Sequence, residues 1–174
     1  MKEILLKPEA VNEENFAPFG RLVFLPRSNA DYQSEQFDWY DEITLCNLDT
    51  ASFGLVHSYP QQVYTEYELE CHNHTEELLL PLDADIALIL RKPGAFDVSD
   101  VSAFHAFLVP KHTLICLKES VWHHAPISIH EECNTLVVYK YKTGKIDKQV
   151  VKAEEAGVRL ILKQSLSFNC TIQQ

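Results

Sequence analysis

A chain of 174 residues, 46% hydrophobic and 23% charged, has the length and balance of one globular domain, read here as residues 1–174. Its net charge of −10 works against nucleic acid and anionic membranes, which are bound with surplus Lys and Arg. No apolar run approaches the roughly 20 residues of a membrane helix, and "MKEILLKPEAVNEENF" has too short an apolar segment and too many acids for a secretory signal, so the expected location is the cytoplasm.

The opening "KPEAVNEENFAPFG", closed by Gly20, predicts a loop or short helix, and "RLVFL" a strand that Pro26 ends. Residues 27–42, "RSNADYQSEQFDWYDE", are polar and aromatic without periodicity, as expected of a loop crossing a pocket or an interface. From Ile43 the signal is strand: "ITLCNL", "SFGLVHSY", "VYTEYELECH", "EELLLPL", "DIALILR", "AFHAFLV", "TLICLK", "APISIH" and "NTLVVYKYK" are short apolar or alternating runs. Turn chemistry separates them, as in "YPQQ", "DAD", "KPGA" and "EECN". The tail "DKQVVKAEEAGVRLILKQ" can hold a helix, interrupted at Gly157. Many short strands at near-regular spacing predict an antiparallel β-barrel or sandwich. Five cysteines without a CxxC suggest reduced thiols, and the sequons at Asn73 and Asn169 are read as chance.

The stretch "ELECHNHTEELLLPLDADIALIL", residues 68–90, sets ligand-type side chains against core leucines. In a strand Glu68, Glu70, His72 and His74 share one face. Two imidazoles two residues apart can hold one cation, completed by a carboxylate from the next strand and a distant imidazole. Such a donor set suits divalent Mn, Fe, Co, Ni or Zn without choosing among them. Glu77 opens the next strand and is favoured over Glu76 as the carboxylate. In "KESVWHHAPISIH", His123 and His124 face opposite ways, so at most one enters a shared site.

Each of these has a plainer reading: His72 and His74 as surface histidines on an acidic edge, Glu68 and Glu70 as a solvated face, Trp122 as core, Cys71 as a small hydrophobe. His57, His105, His112 and His130 receive no role. No GxSxG, Walker loop or GxGxxG is present.

The ordered motifs resemble the ureidoglycolate lyase family of the cupin superfamily. "ENFAPFGRLV" is similar to its opening motif, and "YELECH…LLLPL" puts Glu68, Glu70 and His72 on family positions. "FDVSDVSAF" and "VWHHAPI" match two further segments, the second placing Trp122 and His123. The resemblance covers roughly residues 8–145. It implies a cupin-type antiparallel β-barrel (a jelly roll with minor helical segments), a homodimer, and binding of a small carboxylate such as glyoxylate. The activity it implies is cleavage of ureidoglycolate to glyoxylate and urea. "HNHTEE" resembles the first cupin motif, one residue short, which implies the metal. The chain departs from the family at His57, where a basic residue is usual, at "SEQFDWYDE", at Glu76-Glu77 and at Tyr139-Lys140, where the family has an Asp-Arg pair.

The expectation is therefore a metal-binding, lyase-like cupin enzyme. His72, His74, Glu77 and His123 would hold one divalent transition metal (Ni, Mn, Fe or Zn). Glu68 or His124 would move the proton, and Lys140 would take the substrate carboxylate in place of the missing arginine. The alternatives are a non-catalytic small-molecule-binding cupin and a sugar or acid isomerase on the same barrel.

Overall fold

The computed structural model describes residues 1–60 and 67–162. The chain opens with β1 (Lys2–Leu6), β2 (Glu9–Ala10) and the single-turn helix α1 (Glu13–Phe16). Asn12 caps α1: its side chain accepts the Asn15 N–H and the Asn15 side chain accepts the Asn12 N–H, both at 2.9 Å. The capped turn drives Phe16 and Phe19 fully into the core.

Next come β3 (Gly20–Phe24), the two-residue strands β4 (Tyr32–Gln33) and β5 (Asp38–Trp39), and β6 (Ala51–Ser58). The region read as a loop thus contains a small hairpin, β4 against β5. "ITLCNL" forms no strand: residues 43–48 run as irregular chain along the outside of a sheet. The central strands are β7 (Glu68–Cys71), β8 (Glu77–Pro81), β9 (Ile86–Arg91), β10 (Phe104–Val109) and β11 (Thr113–Leu117). Part of the strand read at 63–72 lies outside the described residues. The described chain closes with β12 (Trp122–His123), β13 (Ile127–Ser128), β14 (Cys133–Lys140), the helical turn α2 (Thr143–Ile146), β15 (Gln149–Lys152) and β16 (Val158–Leu162).

The strands build two main sheets. One runs β15-β7-β12-β9-β10-β2, with β13 also on β9; the other runs β3-β11-β8-β14-β6. Apart from the parallel β2–β10 pair, neighbours within them are antiparallel. This mainly-β arrangement fits a jelly roll, and the sheets' facing sides enclose a core of Leu79, Ile86, Leu88, Leu90, Phe107, Ile115, Leu117 and Val137. A second cluster lies on the back of the first sheet, where Leu69, Cys71, Ile89 and Trp122 meet Ile4, Leu6, Val158 and Leu160. β9 is buried on both faces, which explains why "IALIL" is a continuous apolar run instead of an alternating one.

The tail corrects the helix expectation. β15 pairs antiparallel with β7 and β16 parallel with β1, so the segment runs as two strands joined by a turn. Gly157, at φ 87°, takes the left-handed turn between them, which ends any helix there. Gly20 has a different duty: a Cβ there would stand 2.0 Å from the Cys116 carbonyl oxygen, so only glycine lets β3 approach β11 this closely.

Candidate metal centre

At one end of the inter-sheet core, four side chains from three strands and a turn converge. Leu69 and Cys71 of β7 point to the back of their sheet, so Glu70 points inward, and His72 keeps that parity just past the strand's end. In β12, Trp122 faces back and His123 inward, directly opposite Glu70 in register. Glu77 is the first residue of β8 and shares the inner side with Leu79.

The Glu77 Oε2 atom lies 3.3 Å from His72 Nε2 and 3.2 Å from His123 Nε2. Glu70 Oε1 is 3.6 Å from His123 Nε2, and the two imidazole rings are 5.3 Å apart. His72, Glu77 and His123 are buried. Each imidazole is tied by its other nitrogen: His72 Nδ1 donates to the Asp147 carbonyl at 2.6 Å and His123 Nδ1 to the Val121 carbonyl at 3.1 Å. In the neutral ring that selects the Nδ1–H tautomer, and it aims both Nε2 atoms at Glu77, as ligating histidines are commonly oriented.

Charge holds the cluster together. Burial pushes the Glu77 carboxyl up, but the charge on the neighbouring His123 outweighs it, His72 adds to the effect, and its pKa comes down to about 2. Burial likewise lowers His123, yet Glu77 and Glu70 together raise it to about 10. Glu70 falls to about 2, since contacts with His123 and Lys148 overcome its desolvation; Lys148 Nζ lies 2.5 Å from Glu70 Oε2. His123 Nε2 and Glu77 Oε2 nevertheless have no aligned hydrogen-bond partner. Two buried donor atoms so close and so poorly aligned with each other fit ligands arranged around a shared cation. Glu70, His72 and His123 alone already offer ligand atoms within 4.8 Å of one another.

The structure thus brings together His72, Glu77 and His123 from the expected set, and of the two open pairs it places Glu77 and His123 at the cluster. Glu76 points to the opposite side of its sheet and pairs with Arg21 at 2.7 Å. His124 turns away, its ring 5.1 Å from that of Tyr67 and its Nδ1 donating to the Ala125 carbonyl. Three further expectations are corrected. His74 leaves the cluster because β7 ends at Cys71 and the Asp147 carboxylate accepts the N–H groups of Asn73 and His74, turning the chain; the His74 side chain is 81% exposed. Lys140 lies on the face of β14 opposite Thr135 and Val137, where its Nζ meets Asp49 Oδ2 at 2.5 Å. Glu68 has the right parity but sits one step beyond Glu70 and is exposed, lining a separate cavity of about 350 Å³ with Lys152, Glu154 and Glu155.

Sequence reasoning missed the supports. Glu70 was legible from its shared parity with His72. Asp147 and Lys148 carried no signal, because nothing in "KIDKQ" shows that the chain returns to β7. Tyr139, inward from β14 with its ring 6.1 Å from His72, belongs with them.

Fold and site together define a mainly-β, jelly-roll protein with a buried histidine–carboxylate cluster. The family profile described as ureidoglycolate lyase matches residues 3–159, and the chain belongs to that family. No curated protein matches it by sequence. Among solved structures it is similar to an oxalate decarboxylase, 18% identical with a TM-score of 0.38, covering 52% of this chain and 22% of that one. It is also similar to a dTDP sugar isomerase from Desulfovibrio desulfuricans G20, 12% identical with a TM-score of 0.44, covering 76% of this chain and 82% of that one. The 11S globulin from Wrightia tinctoria is 12% identical at a TM-score of 0.38, covering 59% of this chain and 22% of that one. Two of these three structures are thus matched over only 22% of their own length. Among the described residues no helix is long and apolar enough to cross a membrane.

Proposed function

We propose that the protein is a metal-dependent lyase of a small hydroxy- or keto-carboxylate, cleaving ureidoglycolate to glyoxylate and urea or carrying out a closely related elimination. The observation that carries this reading is the convergence of His72 Nε2 and His123 Nε2 on the buried Glu77 Oε2, with each Nδ1 already bonded to a carbonyl. Two imidazoles and one carboxylate suit a divalent transition metal such as Ni, Mn, Fe or Zn and leave coordination positions open. Bound there, such an ion supplies Lewis acidity toward the substrate oxygens.

The remaining work falls to the chain's own residues. Glu70, half-buried and beside the centre, takes the hydroxyl proton as the carbon–nitrogen bond breaks. Lys148, 2.5 Å from Glu70, stands ready to protonate the departing urea nitrogen. Substrate carboxylate binds through the lysines that flank this end of the barrel. A cavity of about 420 Å³ lined by Tyr139, Tyr141, Lys142 and Lys145 adjoins Tyr139 of the centre. Lysine offers a point charge instead of a planar fork, so small acids are held with less discrimination than arginine would give.

The test is elemental analysis of the purified protein, followed by ureidoglycolate turnover with and without chelator, reading glyoxylate and urea separately. Equal release of both, lost on chelation and restored by the metal, supports the reading. Metal-loaded protein that releases neither removes it. A second reading, a non-catalytic binder of small carboxylates, is favoured by one observation: among the described residues no arginine forms an ion pair with the centre's carboxylates. Arg21, Arg27 and Arg159 pair elsewhere, and Arg91 is spent on the Lys92 and Asp97 carbonyls.

A further inference from the structure

The outer side of the five-stranded sheet carries a second cluster that the metal centre does not use. Cys116 faces outward from β11, between the inward Ile115 and Leu117, and lies opposite Arg21 of β3 in register. The irregular segment 43–48 crosses above it and sets Cys46 Sγ 3.2 Å from Cys116 Sγ. Arg21 binds the whole group: its guanidinium donates to Cys116 Sγ at 3.0 Å, Cys46 Sγ at 3.6 Å, the Leu45 carbonyl at 2.7 Å and the Glu76 carboxylate at 2.7 Å. Both cysteines are free thiols. The trio Cys46, Glu76 and Cys116 has ligand atoms within 4.8 Å of one another, but a fixed positive charge already touches both sulfurs, which disfavours a cation there.

We propose that Cys46 and Cys116 form a peroxide-responsive thiol pair that closes to an intramolecular disulfide, fastening the 43–48 segment to β11. A bonded pair needs about 2.05 Å between sulfurs, so closure asks only a short movement of a segment held in no sheet. Cys46 reacts first, because it is the half-exposed partner while Cys116 is 1% exposed. Burial, reinforced by the neighbouring thiol, also keeps Cys116 protonated.

The Cys46 thiolate attacks one peroxide oxygen, the O–O bond breaks, and hydroxide leaves to become water with the thiol's proton. Cys116 sulfur then attacks the sulfenic sulfur, the S–O bond breaks, and the departing hydroxide takes the Cys116 proton as a second water. The two sulfurs supply the two electrons that reduce the peroxide. The other described cysteines are buried and have no sulfur partner: Cys71 contacts Asn73 and Cys133 the Ala84 carbonyl.

The experiment treats the full chain with equimolar hydrogen peroxide and counts thiols in denaturant. Two of the thiols counted before treatment should be lost, and should return with dithiothreitol. Peptide mapping without reductant should find Cys46 joined to Cys116, and the denaturation midpoint should rise over the reduced form. Cys116→Ser should instead accumulate a sulfenic acid at Cys46, trapped by dimedone. Cys46→Ser, in a segment that belongs to neither sheet, should keep Cys116 reduced. A different pairing, a bridge between two chains, or loss of two thiols in Cys46→Ser overturns the proposal. An unchanged thiol count at equimolar peroxide also overturns it. The readout does not depend on bound metal, so it stands or falls apart from the lyase reading.

Discussion

Replacing Glu77 by Gln keeps the shape of the buried centre and removes its innermost charge. In chelator-treated protein that charge faces two imidazoles at 3.3 and 3.2 Å, inside a site where both partners of the closer pair are under 8% exposed. The rise of His123 from 6.5 to about 10 is what pairing leaves after burial has lowered it; at about 1.4 kcal/mol per pH unit the net gain is about 5 kcal/mol. Glu70, at 3.6 Å, supplies part of it and remains in the variant. Breaking a buried pair at one partner costs about 3–5 kcal/mol, and the lower end, about 3 kcal/mol or roughly 6–12 °C in Tm, is expected here. The pH dependence is specific. The folded value for His123 lies above its unfolded one, so its contribution is complete below about pH 6.5 and is lost as the pH rises through about 10. The folded value for Glu77 lies below its unfolded 4.5, so its contribution is complete above that and is lost as the pH falls through about 2. The gap between wild type and Glu77→Gln is therefore widest between about pH 4.5 and 6.5 and narrows on both sides. Urea unfolding with chelator present, at about pH 5.5 and about pH 9.5, measures it. Equal gaps at the two pH values, or a gap under about 0.5 kcal/mol at the lower one, would show that the pairing is not what holds this end of the core.

About one divalent ion per chain is expected by elemental analysis; His72→Ala and His123→Ala should each lower its affinity by about 100-fold or more, whereas exposed His74→Ala should leave it within about threefold. Asp147→Ala removes the acceptor of two N–H groups in the turn that carries His72, and metal titration should show affinity falling about 10- to 100-fold with the ligands intact. A homodimer is expected from the exposed Phe37 and Trp39 of the hairpin and from Phe53 and Leu55, which stand 72% and 59% exposed on edge strand β6. Sedimentation should give a dimer at micromolar concentration and a monomer for Phe53→Asp, and a wild-type protein that sediments only at 20.0 kDa rejects the expectation.

The strand content was legible because alternation and short apolar runs report a half-buried sheet directly: "ELLLP", "AFHAFLV" and "NTLVVYK" each became a strand near the expected bounds. "ITLCNL" failed for a tertiary reason. Its apolar residues have no neighbouring strand to pair with, and the segment instead hangs on the Arg21–Leu45 hydrogen bond above β11. The tail misled because "VVKAEEAGVRLIL" has enough helix formers to suggest a helix, while the decisive facts, pairing with β1 and β7, are long-range.

The centre shows the same division more sharply. Parity along β7 correctly placed Glu70 beside His72, but parity holds only while the strand lasts, and it lasts to Cys71. What ends it is Asp147, whose carboxylate lies 73 and 74 residues away in sequence from the two N–H groups it accepts. The same residue's carbonyl orients the His72 ring, and the next residue, Lys148, neutralises Glu70. Residues 147–148 therefore both expel His74 and orient His72, so the composition of the centre depends on how the chain's last third docks against β7. A local motif can propose "HNH" as a ligand pair; the docked α2–β15 connection buries one histidine of it and turns the other out to solvent.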